Sequence, residues 1–217
     1  MDDAEYALRK DLIATCIMME QKGINQGTSG NASARWKNGL LITASGLAYD
    51  TMAPEDITYL EMDGTPHGPH RPSSEWRFHR DILRERKDIN AVVHAHPTYC
   101  TAQAITGKDI PAVHYMIAAA GGSTIRCAPY ATFGTDELSL AALKALEGRL
   151  ACLLANHGLI ACGPNLRKAL WLANEVETLA KQYAVSRQLG DVVVLSDEEM
   201  ERVIEKFKTS YGPKGNV

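Results

Sequence analysis

Asn90-Ala91-Val92-Val93-His94-Ala95-His96 reads as an apolar strand that ends in two histidines. Side chains alternate faces along an extended strand, so His94 and His96 project the same way. Two imidazoles at that spacing can grip one divalent ion. A third ligand from elsewhere would leave the open position that a catalytic zinc keeps. His157, followed by Gly158, lies further along the chain. By itself the His-x-His pattern also fits packed or surface histidines.

Outward from this strand, residues 4–22 carry Leu8, Leu12, Ile13, Cys16 and Ile17 at helical spacing, with Gly23 as a stop. A glycine-rich turn over residues 25–31 leads to two short strands, residues 32–36 and 39–43, whose Asn38-Gly39 junction signals a hairpin. Residues 57–62 read as a strand and residues 64–72 as loop. A helix is predicted from Pro72-Ser73-Ser74-Glu75 to about Arg86, with serine as its N-cap. After the histidine strand come a helix over residues 98–105, short strands near 112–115 and 124–128, a helix over 136–146 and a strand over 151–155. A long helix over residues 165–189 and a strand over 192–195 follow. Ser196 and Glu199 then form a capping box for a last helix to about Phe207. Hairpin-like strands with interspersed helices predict an α/β sandwich, part antiparallel, in one domain over residues 1–217. Residues 209–217, with Gly212, Pro213 and Gly215, are expected to form a mobile tail.

Composition narrows the classes. A length of 217 residues fits one domain with a sizeable core, and 45% hydrophobic with 23% charged residues is ordinary for a globular protein. A net charge of -3 without a basic run suggests neither a nucleic-acid nor an anionic-membrane surface. Met1-Asp2-Asp3 lacks the apolar region of a secretory signal, and no apolar run has membrane-helix length, so a cytoplasmic location is expected. The five cysteines are scattered and never form Cys-x-x-Cys, which argues for buried free thiols.

Small polar turns carry the remaining chemistry. Ser73-Ser74-Glu75 lies at a helix N-terminus, where free N–H groups favour anions and where plain capping is the simpler account. Gly27-Thr28-Ser29-Gly30-Asn31 and Thr43-Ala44-Ser45-Gly46 suit a phosphate but also fit ordinary turns, and neither is a P-loop or dinucleotide fingerprint. His67, His70, His79 and His114 read as structural or surface histidines, and Asp136 and Glu137 as first-turn helix residues.

Together these motifs are recognisable. Gly-Thr-Ser-Gly-Asn from Gly27, Ser-Ser-Glu-Trp-Arg-Phe-His from Ser73, His-Ala-His from His94 and His-Tyr-Met-Ile-Ala-Ala-Ala-Gly-Gly from His114 occur in order. Ala-Pro-Tyr-Ala-Thr-Phe-Gly-Thr from Ala128 and Asn-His-Gly-Leu-Ile-Ala from Asn156 follow. The chain resembles the class II aldolase/adducin family over nearly its whole length. The resemblance implies a three-layer α/β/α sandwich around a mainly antiparallel central sheet. It also implies a homotetramer with sites at subunit interfaces, and one Zn2+ per subunit, for which Co2+ or Mn2+ can substitute. Carried over by motif, His94, His96 and His157 would be the metal ligands and Glu75 the catalytic acid/base. Thr28, Asn31, Ser45, Gly46, Ser73 and Ser74 would hold a phosphate. Tyr115 would reach the aldehyde oxygen of a neighbouring subunit's site, and Tyr211 would serve the closing tail.

The implied activity is reversible cleavage of a ketose 1-phosphate, of the L-fuculose 1-phosphate type, to dihydroxyacetone phosphate and a short aldehyde such as lactaldehyde. Family members acting on 5-deoxyribulose 1-phosphate or 5-(methylthio)ribulose 1-phosphate give the alternative of a salvage aldolase. Epimerases, dehydratases and the metal-free adducin head are more distant readings, and Glu75 in its Ser-Ser-Glu context favours an aldolase over an epimerase. The chain departs from the familiar pattern at Asn156, at Ser45 and around Ser210. The last of these lies where the family closes over the aldehyde.

Overall fold

The computed structural model describes residues 1–209, so Tyr211 and all but the first residue of the expected tail lie outside the described residues. In chain order the elements are α1 (Asp3–Gln21), β1 (Asn31–Trp36), β2 (Gly39–Ile42), β3 (Thr58–Glu61), β4 (Pro66–His67), α2 (Trp76–Glu85) and β5 (Ala91–Ala95). They continue with α3 (Thr98–Ile105), β6 (Arg126–Ala128), α4 (Asp136–Ala145), β7 (Ala151–Leu154), β8 (Gly158–Gly163), α5 (Leu166–Leu189) and α6 (Asp197–Thr209). The strands form one eight-stranded sheet in the order β4-β3-β2-β1-β5-β8-β7-β6.

The sheet is mixed, which corrects the expectation of a mainly antiparallel one. β6 lies parallel to β7, while the other neighbours pair antiparallel. Parallel neighbours need a crossover, and α4 supplies it between β6 and β7.

The apolar residues divide by strand parity. Ala32, Leu41, Val93, Leu153 and Leu159 join residues of α1, α3 and α5 in one buried cluster. Leu40, Ile42, Val92, Leu154 and Ile160 join residues of α2 and α4 in a second. A period of two sends successive side chains to opposite faces, so β2, β5, β7 and β8 feed both clusters. In α2, Phe78, Ile82 and Leu83 are fully or almost fully buried. Burial of one such side chain contributes about 1.5–3 kcal/mol.

Several local expectations change. β8, an interior strand between β5 and β7, has no alternation to betray it, because Gly158–Gly163 is buried throughout. β4 falls within the segment read as loop. Residues 112–115 form no strand; they lead into a 3-10 helix, Tyr115–Ala120, beside an isolated bridge between Ile110 and Ile125. Residues 192–195 also pair with no strand, and their tie to the fold includes a bond from Leu195 N–H to the Ala112 carbonyl at 2.9 Å. The N-cap of α2 is Glu75, not a serine. Among the described residues, no helix is long and apolar enough to cross a membrane.

Candidate active site

The register of the sheet assembles the site. Asn31, the first residue of β1, pairs with His94 near the end of β5. Ala95 pairs with Leu159, so the turn that opens β8 lies at the same end. His157 sits in that turn, directly after Asn156, whose φ of 56° is left-handed. Asparagine tolerates this conformation better than most residues, so the departure at Asn156 fits the turn it occupies. Gly158 is required by contact: a Cβ there would meet the Ala95 carbonyl and lie 2.7 Å from Cδ2 of His96.

Three imidazoles and one carboxylate meet at this edge. The ligand atoms of Glu75, His94, His96 and His157 all lie within 4.8 Å of one another. His94 Nε2 is 2.9 Å from His96 Nε2 and 3.0 Å from Glu75 Oε2, and His157 Nε2 is 3.1 Å from Glu75 Oε1. Each pair of imidazole centroids is 4.8 Å apart. His94 Nδ1 donates to the Leu159 carbonyl at 2.8 Å, which leaves Nε2 a lone pair aimed into the cluster. Glu75 Oε1 is buried without a hydrogen-bond partner. Lone pairs and carboxylate oxygens converging in this way fit a cation.

Charge follows the geometry. Burial works against ionising Glu75, but His94 and His157 outweigh it and hold the carboxyl below the usual range. Burial, with His94 and His157 nearby, lowers His96 to about 4. A neutral imidazole is the form that binds metal.

Glu75 reaches the cluster because it occupies the N-cap of α2, where the chain leaves the serine loop. Ser73 Oγ accepts the Glu75 backbone N–H at 3.3 Å. Asn31 Nδ2 donates to Glu75 Oε2 at 3.0 Å. Above these groups opens a cavity of about 340 Å³. Thr28, Asn31, Ser45, Gly46, Ser73 and Ser74 all line it, together with Glu75, His96 and His157. Tyr115 does not; it is 49% exposed and stacks on His114.

Three groups have no role in the sequence reading. Tyr130 and Phe133 line the cavity although 64% and 65% exposed. Their motif, Ala-Pro-Tyr-Ala-Thr-Phe-Gly-Thr, was legible, but nothing in it marks a cavity wall. Gly134 closes this loop onto the serine loop, since a Cβ there would lie 2.8 Å from the Ser74 carbonyl. His79, expected to be structural, is fully buried and touches Asn31. Its spacing four residues after Glu75 was the available signal. The other histidines fit the structural or surface reading: His67 pairs with Glu61, His70 with Asp56, and His114 caps the 3-10 helix.

Residues 10–184 match the family described as Class II Aldolase and Adducin N-terminal domain. The chain is 53% identical over 217 residues to the 5-methylthioribulose-1-phosphate/5-deoxyribulose-1-phosphate aldolase of Rhodospirillum rubrum, covering 100% of this chain and 98% of that protein. It is also 53% identical, over 206 residues, to the L-fuculose phosphate aldolase of Escherichia coli K12, covering 94% and 95%. A solved structure of an L-fuculose 1-phosphate aldolase superposes with a TM-score of 0.91 at 42% identity, over 93% of this chain and 96% of that one.

Proposed function

The chain belongs to the class II aldolase and adducin family, and on that premise we propose that it cleaves a ketose 1-phosphate reversibly to dihydroxyacetone phosphate and a short aldehyde. The observation that carries this reading is the convergence of His94, His96 and His157 on Glu75 at the floor of a cavity rimmed by serines, threonine and glycine. Among the described residues no lysine lines that cavity, which supports a metal-dependent aldolase over one that forms a Schiff base.

His94, His96 and His157 would hold one divalent ion. Three imidazoles without a thiolate suit zinc and accept cobalt or manganese. Such an ion supplies Lewis-acid polarisation of the substrate carbonyl. Glu75, with one oxygen held by Asn31 and the other free of hydrogen bonds, moves the proton at the dihydroxyacetone-phosphate carbon. Thr28, Asn31, Ser45, Gly46, Ser73 and Ser74 anchor the phosphate with hydroxyls, an amide and backbone N–H groups. That remote binding energy holds the reacting carbon beside Glu75.

In this reading Tyr115 enters a neighbouring subunit's site in a homotetramer and serves the aldehyde oxygen, and its exposure supports that. Tyr211 belongs to the same aldehyde end. The two buried clusters fed by alternate strand residues support a three-layer α/β/α sandwich in a single domain; a cytoplasmic location belongs to the same reading.

L-fuculose 1-phosphate, yielding lactaldehyde, is the first substrate to test. Equal identity to an aldolase of 5-methylthioribulose 1-phosphate and 5-deoxyribulose 1-phosphate supports a salvage role as a second reading. Cleavage rates across these ketose 1-phosphates, with both products measured, decide between them. Release of dihydroxyacetone phosphate from none would sink the aldolase reading and leave epimerisation, dehydration or a binding role.

A further inference from the structure

Behind Glu75 runs a buried chain of hydrogen-bonding groups. Asn31 Nδ2 donates to Glu75 Oε2 at 3.0 Å. Asn31 Oδ1 lies 2.5 Å from His79 Nε2, and His79 Nδ1 lies 2.7 Å from Ser33 Oγ. His79 and Ser33 are fully buried and Asn31 nearly so. α2 delivers His79, with its ring stacked on Phe78 at 4.6 Å between centroids. β1 delivers Asn31 and Ser33 on one face, two residues apart.

The donors and acceptors leave this chain one consistent direction. A carboxamide oxygen has no proton to give, so His79 Nε2–H donates to Asn31 Oδ1. The ring's other nitrogen is then an acceptor, and the Ser33 hydroxyl donates to it. Turning the Asn31 carboxamide over would set Oδ1 against a carboxylate oxygen, a buried and repulsive contact, and unmatched buried polar groups are costly. Burial, with His94 nearby, lowers His79 to about 3, which agrees with a neutral ring.

We propose that His79 is a positioning residue for the lyase reaction: through Asn31 it tethers Glu75 by Oε2 and leaves Oε1, beside His157, as the oxygen that exchanges protons with substrate. The inference rests on the reading of Glu75 as the acid/base. It assigns His79 no contact with substrate or metal. A histidine that merely fills the core would act through volume; this one acts through a single N–H.

Two variants separate those roles. His79→Gln keeps a donor near the Nε2 position, whereas His79→Asn keeps only a partner for Ser33. Both replace the ring by a smaller amide, so both carry a similar packing loss. The expected result is a loss of about tenfold to a hundredfold in kcat for His79→Asn, the range seen when supporting groups of a site are removed. Any change in KM or in affinity for phosphoglycolohydroxamate, felt through Asn31, stays within the roughly twofold to tenfold of one phosphate contact, and His79→Gln recovers most of the rate. Deuterium exchange from solvent into dihydroxyacetone phosphate follows the same order, with metal content and melting temperature matched between the two variants. In an Asn31→Ala background the difference between Gln and Asn at residue 79 disappears. Equal exchange in the two single variants, or a difference that persists without Asn31, overturns the proposal.

Nitrogen-15 NMR of histidine-labelled wild-type protein needs no variant. It should show His79 as the Nε2–H tautomer, and an Nδ1–H ring overturns the inference outright. Glu75→Gln keeps the two readings apart. Full exchange in that variant defeats the role of Glu75 itself. Lost exchange there, with full exchange in His79→Asn, defeats only the part assigned to His79.

Discussion

The floor and the rim of the cavity are built differently. The floor is made at the ends of regular elements: Asn31 opens β1, His94 lies in β5, His157 precedes β8 and Glu75 caps α2. Asn31, Glu75 and His94 are buried there, with Asn31 bonded to Glu75 and His94 to the Leu159 carbonyl. The rim is made of loops. Thr28, Ser45, Ser74, Tyr130 and Phe133 face solvent. Sheet pairing and core packing fix the position of floor residues, whereas rim residues are held by turns. The chemistry common to a family therefore belongs on the floor, and discrimination between substrates belongs on the rim.

The difference predicts a ranking. The largest effect belongs to the imidazoles. His157→Ala should bind no stoichiometric metal and lose cleavage to background, while its melting temperature changes little because the side chain is partly exposed at a turn. Metal analysis beside a turnover assay checks this, and full metal content with normal turnover would remove the floor's defining feature. Chelation of the wild-type enzyme should reproduce the loss, and added zinc should reverse it.

Next comes Glu75→Gln. General acid–base groups contribute about 10²–10⁴-fold. The variant should lose rate on that scale and still bind phosphorylated ketose, measured by equilibrium titration. A KM effect with kcat preserved would move Glu75 from the floor's chemistry to the rim's binding.

Two phenylalanines compare the regions by stability. Phe78 is fully packed and sets its edge to His94 at 5.4 Å between centroids, whereas Phe133 is 65% exposed. Phe78→Ala should cost about 3–5 kcal/mol in denaturant unfolding. Phe133→Ala should stay within about 0.5 kcal/mol while shifting preference among aldehydes. A Phe133→Ala loss as large as that of Phe78→Ala would show the rim to be part of the core.

The smallest effect is expected at a single phosphate contact. Thr28→Ala removes one hydrogen bond, worth about 0.5–1.5 kcal/mol, so KM should rise by roughly twofold to tenfold with kcat unchanged. Titration with inorganic phosphate as a competitor should show the same weakening.

Much of the floor was visible in the chain before it folded. An apolar strand ending in His-Ala-His is legible because strand periodicity is local: residues two apart share a face whatever lies around them. Helices α1, α3, α4 and α5 were legible for the same reason, from repeats and caps within a few residues. The rest required partners distant in sequence. β8 carries no alternation, because both of its faces are buried, and only its place between β5 and β7 makes it a strand. The parallel pairing of β6 depends on where α4 returns the chain. His79 looked like any packed histidine. Its meeting with Asn31 and Ser33, 48 and 46 residues away, depends on the docking of α2 against β1. Local sequence determined which side chains were available and which way neighbouring ones point. Tertiary structure decided which of them meet, because long-range register and packing place a lone pair opposite a proton.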